Sequence, residues 1–269
     1  MTESVFWRMS VTGTGGLKMK RKGRIVLKTA LATLVLLLFF FAQGAIVVIT
    51  GIDGVPSALI RGAVIWGLVA ITLAYFIIRY KGISKLGFCG AEKGAAKRML
   101  YFSPLLLIAI SPFAAGVDLK VGATFLFANL FLTLGIGMAE EIFFRGIICG
   151  LWLKHGTVKA MMISSILFGL SHILNMAGGA ALGETLLQIC FALVYGMVFA
   201  LIFAKSGSII PCVLLHALHD FCSFISGEGS AQFEVVLGAV QFIVLLAYFI
   251  YLFRVTARKS EREQAMKGR

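Results

Sequence analysis

Acidic residues are scarce in this 269-residue chain: Asp and Glu number 12 against 25 Lys and Arg, and charged residues make up only 14% of the total. That low charge density, beside 59% hydrophobic residues and a mean hydropathy of +0.96, excludes an ordinary soluble domain. No repeat period, low-complexity tract or compositional break marks a second domain. The five cysteines, Cys89, Cys149, Cys190, Cys212 and Cys222, stand singly, without the paired spacing of a disulfide framework or a zinc knuckle, so they read as small buried hydrophobes. A cleavable signal peptide is also missing, because the basic Lys18–Arg24 cluster leads into an apolar run much longer than a signal h-region.

What is present is apolar sequence in span-sized pieces. Windows of about 20 apolar residues fall at about 25–50, 58–78, 99–117, 121–150, 157–175, 182–204, 208–226 and 234–254. The expected fold is therefore all-α, a polytopic transmembrane helix bundle with about eight spans. The net charge of +13 raises the question of nucleic acid, but the basic residues lie almost wholly in the segments between apolar runs. Lys and Arg gather in the arm, in 79–98, at Lys154, Lys159 and Lys205, and in the tail, while the alternate connections carry mainly Asp53, Asp118, Glu184, Glu228 and Glu234. This is positive-inside patterning, not a nucleic-acid footprint; it puts both termini in the cytoplasm and the chain in the cytoplasmic membrane, with membrane lipids as partners. The divisions expected are a flexible basic arm at 1–24, with Met1 or Met19 as the start, N-terminal transmembrane helices at 25–120, a core at 121–226, a last span at 227–254 and a basic tail at 255–269. Leu86 and Phe88, amid the Lys and Arg of 81–98, make that connection either an inner-leaflet segment or a solvated loop.

The informative residues break the hydropathy pattern. Glu140, Glu141 and Arg145 interrupt the fourth apolar run, His172 the fifth, and His216, His219 and Asp220 the seventh. An ionisable side chain at bilayer depth costs roughly 2.5–3.5 kcal/mol on insertion scales, so such residues mark function by default. At a rise of ~1.5 Å per residue, Glu140 lies about 15 Å from the cytoplasmic surface, His172 roughly 20 Å, His216 roughly 12 Å and Asp220 roughly 18 Å, one layer near the bilayer middle. Helical spacing sets the facing: His216 and Asp220 are i,i+4 and share a face, as do Glu141 and Arg145, while Glu140 is rotated about 100° from Glu141. This division suggests Glu140 as general base and the Glu141–Arg145 pair as its electrostatic support. Plainer roles fit the remainder: His155 as a solvated turn residue, His219 as packing or second-layer support, and Gly169, Gly178, Gly179 and Gly196 as close-packing positions.

Three motifs in order, Glu140-Glu141-Ile142-Phe143-Phe144-Arg145, Phe168-Gly169-Leu170-Ser171-His172 and His216-Ala217-Leu218-His219-Asp220, resemble those of the CPBP family. These polytopic intramembrane proteases include CAAX prenyl endopeptidases and bacteriocin-processing or self-immunity proteins. The resemblance covers about residues 121–226. It implies a peptide or protein substrate, hydrolysed with Glu140 and His172 activating water and with His216 and residue 220 stabilising the oxyanion. Many relatives carry Asn where this chain has Asp220; the acid either is protonated or joins His172 and His216 on a divalent metal such as zinc. The His-Glu-x-x-His of zinc proteases, the Gly-x-Ser-Gly of rhomboids and the Gly-x-Gly-Asp of presenilin-type enzymes are all missing. Two other classes compete with a protease: a non-catalytic self-immunity or scaffold protein, and a proton-coupled transporter. Oligomeric state leaves no mark in the sequence.

Overall fold

The computed structural model describes residues 17–89, 103–118, 121–227 and 229–267. It is all-helical, with no strand among those residues. The elements run α1 (Leu17–Thr50), α2 (Gly54–Tyr80), a 3₁₀ turn (Ser84–Leu86), α3 (Ser103–Ile110) extended by a 3₁₀ turn (Ser111–Ala115), and α4 (Ala123–Glu141). The last continues through a π-helical segment (Ile142–Cys149) into one final α turn (Gly150–Leu153). Next come α5 (Thr157–Ser171) with a 3₁₀ extension (His172–Gly178), α6 (Leu182–Ser206), α7 (Ile210–Ile225) and α8 (Ala231–Lys267). Six of these are long and apolar enough to cross a membrane, while Ser103–Ala115 and Ile210–Ile225 are shorter apolar helices. All eight expected apolar segments are thus helical where described, but two fall short of span length. The chain is a multi-pass integral membrane protein.

Local sequence explains the helix ends. Pro211 sits in the first turn of α7, where its missing N–H costs nothing. In α6, Glu184 in the first turn and Lys205 in the last complement the helix dipole, and Gly207 ends the helix in the left-handed conformation. Gly179 does the same after the 3₁₀ extension of α5 (φ +97°), and Gly178 faces open space, so neither packs helices as their sequence suggested. Gly169 and Gly196 do: a Cβ on either would press on the facing helix, Gly169 on Ile189 O of α6 and Gly196 on Ser165 of α5.

Helices α4 to α7 form the centre. In α6, 56% of the most apolar window is buried, against 11% in α1 and in α8, whose apolar side chains such as Val48, Ile49, Val235 and Ile243 stay exposed on faces suited to lipid. Phe144, Phe168, Phe199 and Phe203 are fully buried, joined by Leu86. That leucine corrects the expectation for the basic connection: Leu86 and Phe88 are packed into the bundle, and Ile209 N–H donates to Gly87 O at 3.0 Å. The backbone of Leu86 enters because Gly146 has no side chain; a Cβ there would lie 2.8 Å from Leu86 O. Residues 90–98 of that connection lie outside the described residues. Among the cysteines, Cys149, Cys212 and Cys222 are buried as expected, but Cys190 is exposed on the bundle surface. At the far ends of α3 and α7, Asp118 N–H donates to Ile225 O and Gly227 N–H to Gly116 O, both at 3.0 Å, tying the two short helices together.

Gly146→Ala should lower thermal stability in detergent, by about 1–3 kcal/mol of overpacking. Gly67→Ala, with open space around it, should leave the melting temperature near that of the wild type. Equal melting of the two variants would contradict the tight Leu86–Gly146 crossing.

Candidate active site

The acid pair sits where α4 changes register. From Ile142 the backbone bonds i to i+5, a wider turn than an α-helix allows and one often found at functional sites. A hydroxyl from the next helix supports it, with Ser164 Oγ donating to Phe144 O at 2.7 Å. Glu141 and Arg145 still meet across this junction: Arg145 Nη1 donates to Glu141 Oε1 at 2.7 Å, and both side chains are wholly buried. The guanidinium lies 4.4 Å from the ring centre of Phe168 and 5.4 Å from that of Phe199, while its Nε and Nη2 meet no acceptor. Aromatic faces therefore provide part of the solvation that water would give.

His216 enters from α7. Gly137 lets α7 approach α4 closely, since a Cβ there would press on Ala217 N and Val213 O at 3.2 Å. His216 Nδ1 lies 2.9 Å from the same Glu141 Oε1 that holds Arg145. A carboxylate matched to Arg145 can only accept, so Nδ1 carries the proton and donates. The other nitrogen, Nε2, faces Glu140 Oε2 at 3.3 Å and Asp220 Oδ2 at 3.7 Å. Glu141 thus fixes the orientation of the ring and turns Nε2 toward the remaining two carboxyl groups.

His172 opens the 3₁₀ extension of α5 and is half-buried. Its Nδ1 donates to Phe168 O at 3.0 Å, since a carbonyl only accepts, which leaves Nε2 with a free lone pair. Phe168 is the shared surface of the site: its ring centre lies 5.1 Å from that of His172, 5.7 Å from that of His216 and 5.2 Å from that of Phe144. One cavity of about 380 Å³ is lined by Glu140, His172, His216, His219 and Asp220. The structure therefore brings together Glu140, His172, His216 and Asp220, and it places Glu141 and Arg145 behind them, out of the cavity. His219 donates from Nδ1 to Ile108 O at 3.2 Å and stacks on Phe191, which ties α7 to α3 and α6. His155 is exposed, with its ring 5.7 Å from Trp152.

Sequence reasoning missed three residues of the cavity wall. Tyr195, 2% exposed, packs its ring beside His216 and His219. The i,i+4 aromatic series Phe191, Tyr195, Phe199 on α6 was the available signal. Arg61 is half-buried in the wall, and its Nε donates to the buried Gln43 of α1. Nothing near Gln43 in the sequence pointed to that pairing.

A metal bound by His172, His216 and Asp220 would need their donor atoms to converge. Both histidines have the outer hydrogen bonds that metal-ligating imidazoles favour. Among the described residues, however, no three His, Cys, Asp or Glu side chains are grouped to hold an ion. The donor set as it stands does not fit a metal centre.

With the geometry established, comparison with known proteins adds one result. The family model described as type II CAAX prenyl endopeptidase Rce1-like matches residues 122–222. Over that stretch the chain is similar to this family. The match is consistent with a CPBP family protease. It contains every residue described around His216, and α1, α2, α3 and α8 lie outside it. No curated protein and no solved structure gave a significant match. The matched segment thus holds the acids and histidines, while Gln43 and Arg61 come from helices beyond it.

The burial of this network separates two kinds of variant. Glu141→Ala should destabilise the folded protein by about 3–5 kcal/mol, because it strands Arg145 without its partner. Glu140→Gln, at the cavity edge, should change stability by less than about 1 kcal/mol. Denaturant unfolding of both in the same detergent checks the difference.

Proposed function

We propose that this protein is an intramembrane endopeptidase of the cytoplasmic membrane that hydrolyses a peptide bond near the end of a small peptide or membrane-associated protein. The observation that carries this reading is His216, with Nδ1 held by Glu141 and Nε2 turned toward Glu140 and Asp220 on the wall of one cavity. Its chemistry follows from the donors and acceptors. A water molecule between Glu140 and His172 loses its proton to the Glu140 carboxylate, while the lone pair of His172 Nε2 holds its second hydrogen. The oxygen attacks the carbonyl carbon, and the carbonyl oxygen becomes an oxyanion. His216 stabilises that charge through Nε2–H in its doubly protonated form, since its Nδ1 proton is already given to Glu141. Collapse of the intermediate breaks the C–N bond, and the proton on Glu140 passes to the leaving amine. Arg145 acts only by holding Glu141. Asp220 stands beside the oxyanion position, where many members of the family it resembles carry an amide.

The distribution of Lys and Arg supports both termini lying in the cytoplasm. Reporter fusions at Gly54 and Gly179 should then read outside and a fusion at Gly207 inside; a reversed reading at Gly179 would overturn this orientation.

For the chemistry, purified protein is given a peptide library with mass-spectrometric readout. Glu140→Gln, His172→Ala and His216→Ala should each lower turnover at least ~100-fold, and His155→Ala should not. A Glu140→Gln variant that still turns over peptides at the wild-type rate would remove the assigned base.

Asp220→Asn should keep or raise activity, because an amide N–H donates to an oxyanion. Dialysis against a chelator should leave the rate unchanged; loss of activity restored by a divalent ion would instead put Asp220 on a metal.

A further inference from the structure

Arg61 is a cation within a membrane-spanning helix that has no carboxylate partner among the described residues. Such residues elsewhere pair with an opposite charge or serve a ligand, since leaving them alone in an apolar layer is costly. Here the side chain is built into place. Gln43, 8% exposed, uses both ends of its amide: Nε2 donates to Phe40 O at 3.0 Å, and Oε1 accepts from Arg61 Nε. With Nε fixed, the two terminal nitrogens of the guanidinium remain for another acceptor, and the side chain lines the same cavity as Glu140 and His216. The register of α2 on α4 is fixed nearby. A Cβ on Gly62, next to Arg61, would press on the Phe131 ring and lie 3.4 Å from Leu132 Cα, and Trp66 Nε1 donates to Phe131 O at 2.9 Å. Leu132 precedes Glu140 by 140 − 132 = 8 residues, about 12 Å along the helix, a gap that a few residues of extended peptide bridge.

We propose that Arg61 and Gln43 form a carboxylate-binding subsite, which receives the free C-terminal carboxylate of a peptide whose scissile bond lies at Glu140. This rests on the peptidase reading, and it adds a specificity determinant from helices outside the matched segment. A planar guanidinium with two parallel N–H groups suits a carboxylate in a bidentate pair better than any other side chain would. The subsite orients the peptide with its C-terminal side toward α1 and α2 and its N-terminal side toward the 3₁₀ extension of α5.

The test measures binding rather than turnover, so that it stands apart from the hydrolysis experiment. Fluorescently labelled mixed-sequence octapeptides, made with either a free C-terminal acid or a C-terminal amide, are titrated into full-length Glu140→Gln protein in detergent and followed by anisotropy. The acid form should bind roughly ten- to a hundred-fold more tightly than the amide, the range for a hydrogen-bonded charged pair. Adding Arg61→Ala should abolish that preference, with an unchanged gel-filtration profile and far-UV circular dichroism spectrum reporting that the variant is folded; Arg61→Lys should restore part of it, and Gln43→Ala should weaken it. Equal binding of acid and amide, no binding of either, or a preference that survives Arg61→Ala each overturns the subsite. So does an Arg61 effect that appears only on adding anionic phospholipid and is the same for both peptides, since that would make the bound anion a lipid phosphate.

Discussion

Glu141 and Arg145 are wholly buried in an apolar bundle, where each alone would carry a desolvation cost of several kcal/mol. Much of the surrounding structure exists to meet that cost. Phe168 and Phe199 face the guanidinium, the π-helical segment sets the reach of Arg145 back to Glu141, and His216 supplies a second donor to the same carboxylate oxygen. Because Glu141 Oε1 accepts from α4 itself and from α7, the pair also fixes how those two helices meet. The cavity residues inherit their positions from this arrangement. Glu140 is the next residue along α4, and Asp220 lies one turn beyond His216 on α7.

Hydropathy was enough to reveal the helices, because a bilayer admits few other solutions, and the ionisable residues stood out for the same reason. It also counted α3 and α7 with the spans, since an apolar run of moderate length does not state how many of its residues stay helical. The different facing of the two acids was readable from the 100° step between neighbours, yet the contact from Glu141 to His216 was not. That contact depends on the close approach at Gly137 and on the change to π geometry after Glu141, both of which arise from packing between helices distant in sequence. Phe168 was visible only as the first letter of a motif. Its use as a common surface for an arginine and two histidines is a tertiary property.

Arg61 shows the same limit from the other side. Its position near the start of an apolar run makes it look like a boundary residue, and Gln43 looks like an isolated polar residue on α1. Only the pairing of α1 with α2 joins them, and only the packing of α2 on α4 brings them to the cavity. The segment matched by the family model therefore carries the acids and histidines of the cavity, while helices beyond it complete the wall around them.

The short α7 has a consequence for the surrounding lipid. Its 16 residues rise about 24 Å, less than the ~30 Å of a typical hydrocarbon layer, and α3 is tied to its far end. Ile210 and Leu214 are exposed along it. Lipid beside this helix pair must compress to match, at fractions of a kcal/mol per Å of mismatch. A helix that short leaves His216 and Asp220 within about two and a half turns of one end of α7 or the other, so polar surroundings lie closer to them along α7 than a full-length span would allow.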